Sequence, residues 1–187
     1  MAIPDKWKRF LDEVVGVFGP GGPRVRPMVA ADLREVLRIV RLHDSDDARA
    51  AQDYFAHYKP GVGEYEAVQH FVLEDPTATR RDGGTGRVVG VSGYHIDEGG
   101  EAAGIYWLGW TYVNPYFRGR GYGAQLLHVV FEHVRRFGAR KLYLTTSSLP
   151  KFEAAVGFYQ RHGFAEEGRL RDFYCDGEHQ LILGVKL

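Results

Sequence analysis

One cysteine, Cys175, stands among 187 residues, so no intrachain disulfide can form and nothing points to an oxidising compartment. No apolar run reaches the roughly 18 residues of a membrane-spanning helix. The opening Met1-Ala-Ile-Pro-Asp-Lys-Trp-Lys-Arg-Phe10 lacks the pattern of a signal peptide. A cytoplasmic protein with no membrane partner is therefore expected. An excess of one charge is missing too: Lys plus Arg and Asp plus Glu number 24 each, which leaves no electrostatic footprint for a nucleic-acid partner. The eight histidines form no His-Glu-x-x-His pair, and a single cysteine cannot build a zinc cluster, so no metal is expected. The nucleoside-triphosphate loop Gly-x4-Gly-Lys-Ser/Thr does not occur. Gly90-Val-Ser-Gly-Tyr94 lacks the second glycine of a nucleophile elbow, which leaves Ser92 as a strand residue. Tyr106, Trp107, Trp110 and Tyr112 have no basic stripe beside them, so they read as core and sheet residues and not as a stacking platform for nucleic acid.

What is present supports one sizeable core, with 44% hydrophobic and 13% aromatic residues. Residues 1–23 stand apart. Trp7, Phe10, Leu11, Val14, Val15 and Phe18 fall at helical spacing, and Gly19-Pro-Gly-Gly-Pro23 breaks the pattern. An amphipathic helix on a Gly/Pro linker is expected, covered by its own domain or, in a homodimer, by a second subunit. The remainder, 24–187, reads as one domain. A first strand at 24–28 precedes helices from Ala31 towards His43 and around 47–58. Strands follow at 67–73 and 87–96, joined by the polar, glycine-rich 75–86, and another ends at Val113. A helix over 121–137, a strand over 141–146, a helix over 151–162 and strands near 164–170 and 180–187 complete the order. A mixed sheet with helices on both faces is predicted.

The most informative stretch is Val113-Asn-Pro-Tyr-Phe-Arg-Gly-Arg-Gly-Tyr-Gly-Ala124. Pro115 stops the strand that precedes it. Leu126, Leu127, Val130, Phe131, Val134 and Phe137 then recur at helical spacing until Gly138. A glycine-rich turn that opens a helix offers backbone N–H groups without intrahelical partners, at the positive end of the dipole. It suits a phosphate or pyrophosphate. Gly119-x-Gly121-x-x-Ala124 also fits the loose dinucleotide fingerprint, but five residues separate it from Val113, and the next strand carries no acid. A turn without ligand is the third alternative.

Arg118-x-x-Gly121-x-Gly123-Ala124 after a Val-x-Pro strand end resembles the acyl-CoA loop of the GNAT superfamily of N-acetyltransferases. Ala155-Val-Gly-Phe-Tyr159-Gln-Arg-His-Gly163-Phe164 resembles that family's later motif, and 172–183 is similar to its closing hairpin. The resemblance covers about residues 24–187. It implies a GNAT-type α/β fold, with a mixed, mostly antiparallel central sheet flanked by helices on both faces. The implied reaction is acetyl transfer from acetyl-CoA, as co-substrate, to a primary amine of a small molecule or peptide. It further implies that Val113, Arg118, Gly119, Arg120, Gly121, Tyr122, Gly123 and Ala124 hold the donor. Tyr159 is then the acid that protonates the leaving thiolate, its alternative being a core tyrosine beside Phe152, Val156 and Phe158.

Two positions depart from the family. Leu108-Gly109-Trp110 stands where many members have a strand glutamate, and Phe152 where an asparagine often meets the CoA arm. His95, Asp97, Glu74, Glu101 and Ser147 are the candidate bases. Otherwise the acceptor's proton leaves by relay to another residue outside the central strand, or the acceptor is weakly basic. Protein N-terminal acetylation and a non-catalytic acyl-CoA-binding or regulatory module are the alternative functions.

Overall fold

The aromatic and β-branched runs form strands and the runs of helical period form helices in the computed structural model, which describes residues 22–56, 68–79, 88–97 and 99–187. Among the described residues there are seven strands: β1 (Arg24–Pro27), β2 (Val68–Glu74), β3 (Val88–His95), β4 (Ile105–Val113), β5 (Lys141–Ser147), β6 (Ala165–Cys175) and β7 (Glu178–Lys186). They make one sheet in the order β1-β2-β3-β4-β5-β7-β6. The helices are α1 (Leu33–Arg41), α2 (Ser45–Ala56), α3 (Tyr122–Arg136) and α4 (Glu153–Arg161). Between β3 and β4 lies a single helical turn, Gly100–Ala103. The N-terminal helix expected within 1–23 falls almost wholly outside the described residues, as do 80–86 of the polar loop and the first residue of the strand expected at 87–96.

Most of the pairing is antiparallel. β1 meets β2 from Arg24↔Glu74 to Pro27↔Phe71, β5 meets β7 from Lys141↔Lys186 to Ser147↔Gln180, and β6 folds back on β7. The Ser92 and Thr111 hydroxyls lie 2.8 Å apart, and the Asn114 amide donates to the Val89 carbonyl at 2.8 Å. β3 and β4 therefore run in opposite directions. β4 and β5 are parallel over Ile105↔Lys141 to Trp107↔Tyr143. A parallel pair needs a long crossover, and α3 lies on it. Residue contacts gather the chain into two compact units, one running through Tyr94 and including Trp110–Glu132, the other comprising His95–Gly109 and His133–Leu187.

In the first unit, Val36, Ile39 and Val40 of α1 and Ala48, Ala51 and Phe55 of α2 are buried with Met28, Val72, Val88 and Val91. The α1 positions follow the i, i+3, i+4 rule, so one helical stripe meets the sheet. Successive strand residues face opposite sides. Val91 joins the α1 and α2 cluster, whereas a Cβ on Gly90 would stand 2.9 Å from Leu126 Cδ1 of α3. Helices thus cover both faces, and the glycine lets α3 approach closely. At the sheet edge, the Arg26 guanidinium donates to Asp32 at 2.6 and 2.7 Å and to Glu74 at 2.8 Å, tying β1 to β2 and to the entry of α1.

The second unit has its own apolar centre. Leu142 and Leu144 of β5, Leu181 and Leu183 of β7, Tyr159 of α4 and Phe164 are all buried. β6, like β1, is an edge strand, and Leu170, Phe173 and Tyr174 on it are exposed.

Candidate functional site

The β4–α3 connection is a built loop. Asn114, buried, accepts from the Tyr116 amide on its side chain at 3.1 Å, and its carbonyl accepts from the Phe117 amide at 2.9 Å. A 3-10 turn, Pro115–Phe117, results, and Arg118 leaves it extended. Gly119 and Gly121 then take φ of +77° and +78°, a left-handed backbone that side chains disfavour. A Cβ at either would meet nothing within 4 Å. The glycines thus serve the backbone path, and the space beside them is open. The Gln125 amide bonds the Gly121 carbonyl at 3.1 Å, the beginning of the α3 ladder. The amides ahead of it, in the helix's first turn, are the donors that a helix leaves unsatisfied. With Arg118 and Arg120 exposed on the same loop, the arrangement fits a pyrophosphate.

Behind this loop lies a carboxylate that sequence reasoning missed. Asp75 is 0% exposed. It accepts from the Tyr122 hydroxyl and from the Thr77 amide and hydroxyl at 2.8 and 2.7 Å, with the Arg120 guanidinium 3.8 Å away. Burial alone would raise its pKa. The hydrogen bonds from Tyr122 and Thr77 and the charge of Arg120 outweigh it, so the carboxyl titrates below its ordinary range. Tyr122 is pushed the other way, first by burial and then by its bond to the carboxylate. Among the residues predicted to hold the donor, Tyr122 therefore offers its backbone, with its side chain turned inward. Asp75-Pro-Thr77 after a strand is an Asx-turn signature, the one sequence signal that marks this aspartate.

Val113, at the end of β4, accepts on its carbonyl from His43 Nε2 at 2.8 Å. His43 comes from the α1–α2 connection, and its ring meets Tyr112 edge-on, with centroids 5.1 Å apart. The Tyr112 hydroxyl donates to Asp47 at 2.7 Å. Three residues before Val113 the strand is irregular: Trp110 has φ of +37°, a conformation that costs a side-chain-bearing residue about 1–3 kcal/mol. Its indole and Tyr112 nonetheless pack on the α1 and α2 cluster.

Tyr159 lies in the second unit on α4, 9% exposed, with its ring edge-on to Phe158 and Phe164. Phe152 ends a 3-10 turn before α4, with the Lys151 ammonium 5.0 Å from its ring centre. Two candidate bases are committed elsewhere. Glu74 is bound by Arg24 and Arg26, which lower its pKa although burial opposes them. The Ser147 hydroxyl donates to Glu178 at 2.6 Å. His95 stands 3.6 Å from Asp97, and burial of the ring lowers its pKa against that carboxylate's pull.

The family model for GNAT acetyltransferases matches residues 34–164. The chain belongs to the GNAT acetyltransferase family. Membership makes it an acyl-CoA-dependent N-acyltransferase, and its mixed seven-stranded sheet is the fold of its structural neighbours. A GNAT-family acetyltransferase from Desulfovibrio desulfuricans superposes with a TM-score of 0.71 at 27% identity, over 88% of this chain and 98% of that one. The NatC complex bound to Gag peptide and CoA matches at 0.63 and 16% identity, over 89% and 99%. The spermidine/spermine N-acetyltransferase of Vibrio cholerae matches at 0.59 and 17% identity, over 88% and 92%. No curated protein matches this GNAT chain. Among its described residues, no helix is long and apolar enough to cross a membrane.

Proposed function

We propose that this GNAT chain moves an acetyl group from acetyl-CoA to a primary amine of a small molecule or a peptide. The observation that carries the reading is the loop from Arg118 to Ala124: two left-handed glycines, open space beside them and a helix start. The donor's pyrophosphate lies against these amides, with Arg118 and Arg120 adding charge-assisted contacts. The acceptor nitrogen attacks the thioester carbon, and the charge gathering on the oxygen is met by a backbone N–H at or near Val113. As the carbon–sulfur bond breaks, Tyr159 gives its phenolic proton to the departing thiolate and recovers one from solvent. The ammonium proton of the acceptor leaves before attack, because only the free amine has a lone pair to offer, and the nitrogen releases a second proton to solvent as the amide forms.

Named neighbours act on a polyamine or hold a peptide, and this spread is why the acceptor is stated as a class. The test is release of free CoA across a panel of polyamines, small aromatic amines and peptide α-amines. Turnover of at least one amine is expected. Tight acetyl-CoA binding with no turnover over the whole panel would favour a non-catalytic acyl-CoA-binding module instead.

A further inference from the structure

We propose that His43 is a positioning residue for the acyl-CoA donor: its neutral imidazole holds the Arg118 guanidinium and the end of β4 in the arrangement that receives the pyrophosphate arm. The inference rests on the donor reading above. Its geometry lies within the first unit. His43 Nε2 is 2.8 Å from the Val113 carbonyl, and Nδ1 is 3.0 Å from a terminal nitrogen of Arg118. A carbonyl can only accept and a guanidinium can only donate. Nε2 must therefore carry the proton and Nδ1 the lone pair, so a single tautomer satisfies both contacts. Arg118 has five N–H donors, and using one on His43 leaves the others for phosphate oxygens. Without that anchor, the exposed Arg118 side chain would have to be ordered by the donor itself, at a cost in affinity.

A proton on Nδ1 dismantles the device, because it would face the guanidinium donor. The surroundings oppose that proton on balance. Half-burial of the ring lowers its pKa most; the bond to Val113 works against this, Arg118 lowers the pKa further, and Asp47 raises it. Arg118 comes from the loop before α3 and Asp47 from α2. Asp44, on the same connection as His43, is committed to the amides of Asp46 and Asp47 at 2.8 and 3.3 Å. The ring thus stays neutral near pH 7, and the arrangement fails only on acidification.

Glutamine reproduces this chemistry without titrating. Its amide nitrogen and oxygen flank one carbon, as the two imidazole nitrogens flank Cε1, so His43→Gln can donate to Val113 and accept from Arg118 at any pH. The experiment measures acetyl-CoA affinity by calorimetry, and its KM and kcat with an acceptor found in the screen, for wild type, His43→Gln and His43→Ala between about pH 8 and 5.5. At pH 8, His43→Ala is expected to weaken acetyl-CoA about tenfold, the order of one hydrogen bond to a charged group. Its KM rises while kcat holds, and His43→Gln stays near wild type. On acidification, wild type loses affinity more steeply than His43→Gln. That variant is the reference because the donor's own phosphate titrates near pH 6. Thermal melts confirm that each variant is folded. Equal affinity of His43→Ala and wild type, or parallel pH curves for wild type and His43→Gln, would overturn the proposal alone. No acetyl-CoA binding by folded wild type at pH 8 would overturn the donor reading and the role of His43 with it.

Discussion

Asp75 holds the back of the loop from Arg118 to Ala124 by charge as well as by shape, since a fully buried carboxylate with three hydrogen bonds and a nearby arginine is stable only while ionised. Asp75→Asn keeps the volume and removes the charge. It is expected to cost about 1–3 kcal/mol of stability, measured by urea denaturation, and to weaken acetyl-CoA through the slackened Tyr122 and Arg120. Because the folded pKa lies below the unfolded one, this carboxylate adds stability above about pH 4, and the contribution is lost as pH falls through the folded value. The acid limb of the stability profile should accordingly be shallower in Asp75→Asn than in wild type. Tyr159→Phe tests a different role. It keeps the ring against Phe158 and Phe164 and deletes the proton, so kcat should fall about 10²-fold with donor affinity unchanged. An unaltered rate would return Tyr159 to the core.

At the scale of elements, the strand–loop–helix passage from β4 to α3 joins two kinds of irregular backbone. Trp110 takes a positive φ that is sterically costly, yet the packing of its indole on α1 and α2 holds it there. Gly119 and Gly121 take positive φ at little cost, because they have no Cβ. The Cβ of Gly121→Val meets nothing within 4 Å, so its penalty is chiefly backbone strain of about 1–2 kcal/mol together with a side chain in the open cradle. The expected outcome is a modestly lowered melting temperature and loss of the stabilisation that acetyl-CoA gives, both read in one thermal-shift series. A variant still fully stabilised by acetyl-CoA would remove the loop from the donor site.

At the scale of the whole molecule, a donor that binds only the folded chain must raise its melting temperature, by about 2.7 kcal/mol of linkage at a hundredfold excess over Kd. Acetyl-CoA and CoA are expected to do so, and NAD and ATP not; the reverse pattern would point to a dinucleotide site. Deleting residues 1–23 removes a stretch whose apolar positions repeat at helical spacing. Either the melting temperature or the oligomer mass should drop, and light scattering beside thermal melts tells which. No change in either would make the segment a loose appendage.

Much of this architecture was legible from local pattern. Strand composition, helical period and the Pro115 and Gly138 stops act over a few residues, so β4, the loop and α3 could be read from the sequence within a residue or two. The same is true of the glycine positions, whose backbone demand is met at the residue itself. What tertiary structure alone decided is which distant groups meet that loop. Asp75 reaches Tyr122 across 47 residues, and His43 reaches Val113 and Arg118 across 70 and 75. Glu74 was withdrawn from the candidate bases in the same way, by two arginines in β1. No short-range periodicity encodes such meetings. They arise when folding brings the end of β2, which pairs with β3 and not with β4, and the α1–α2 connection to the loop that follows β4, and burial then makes each charge find a partner.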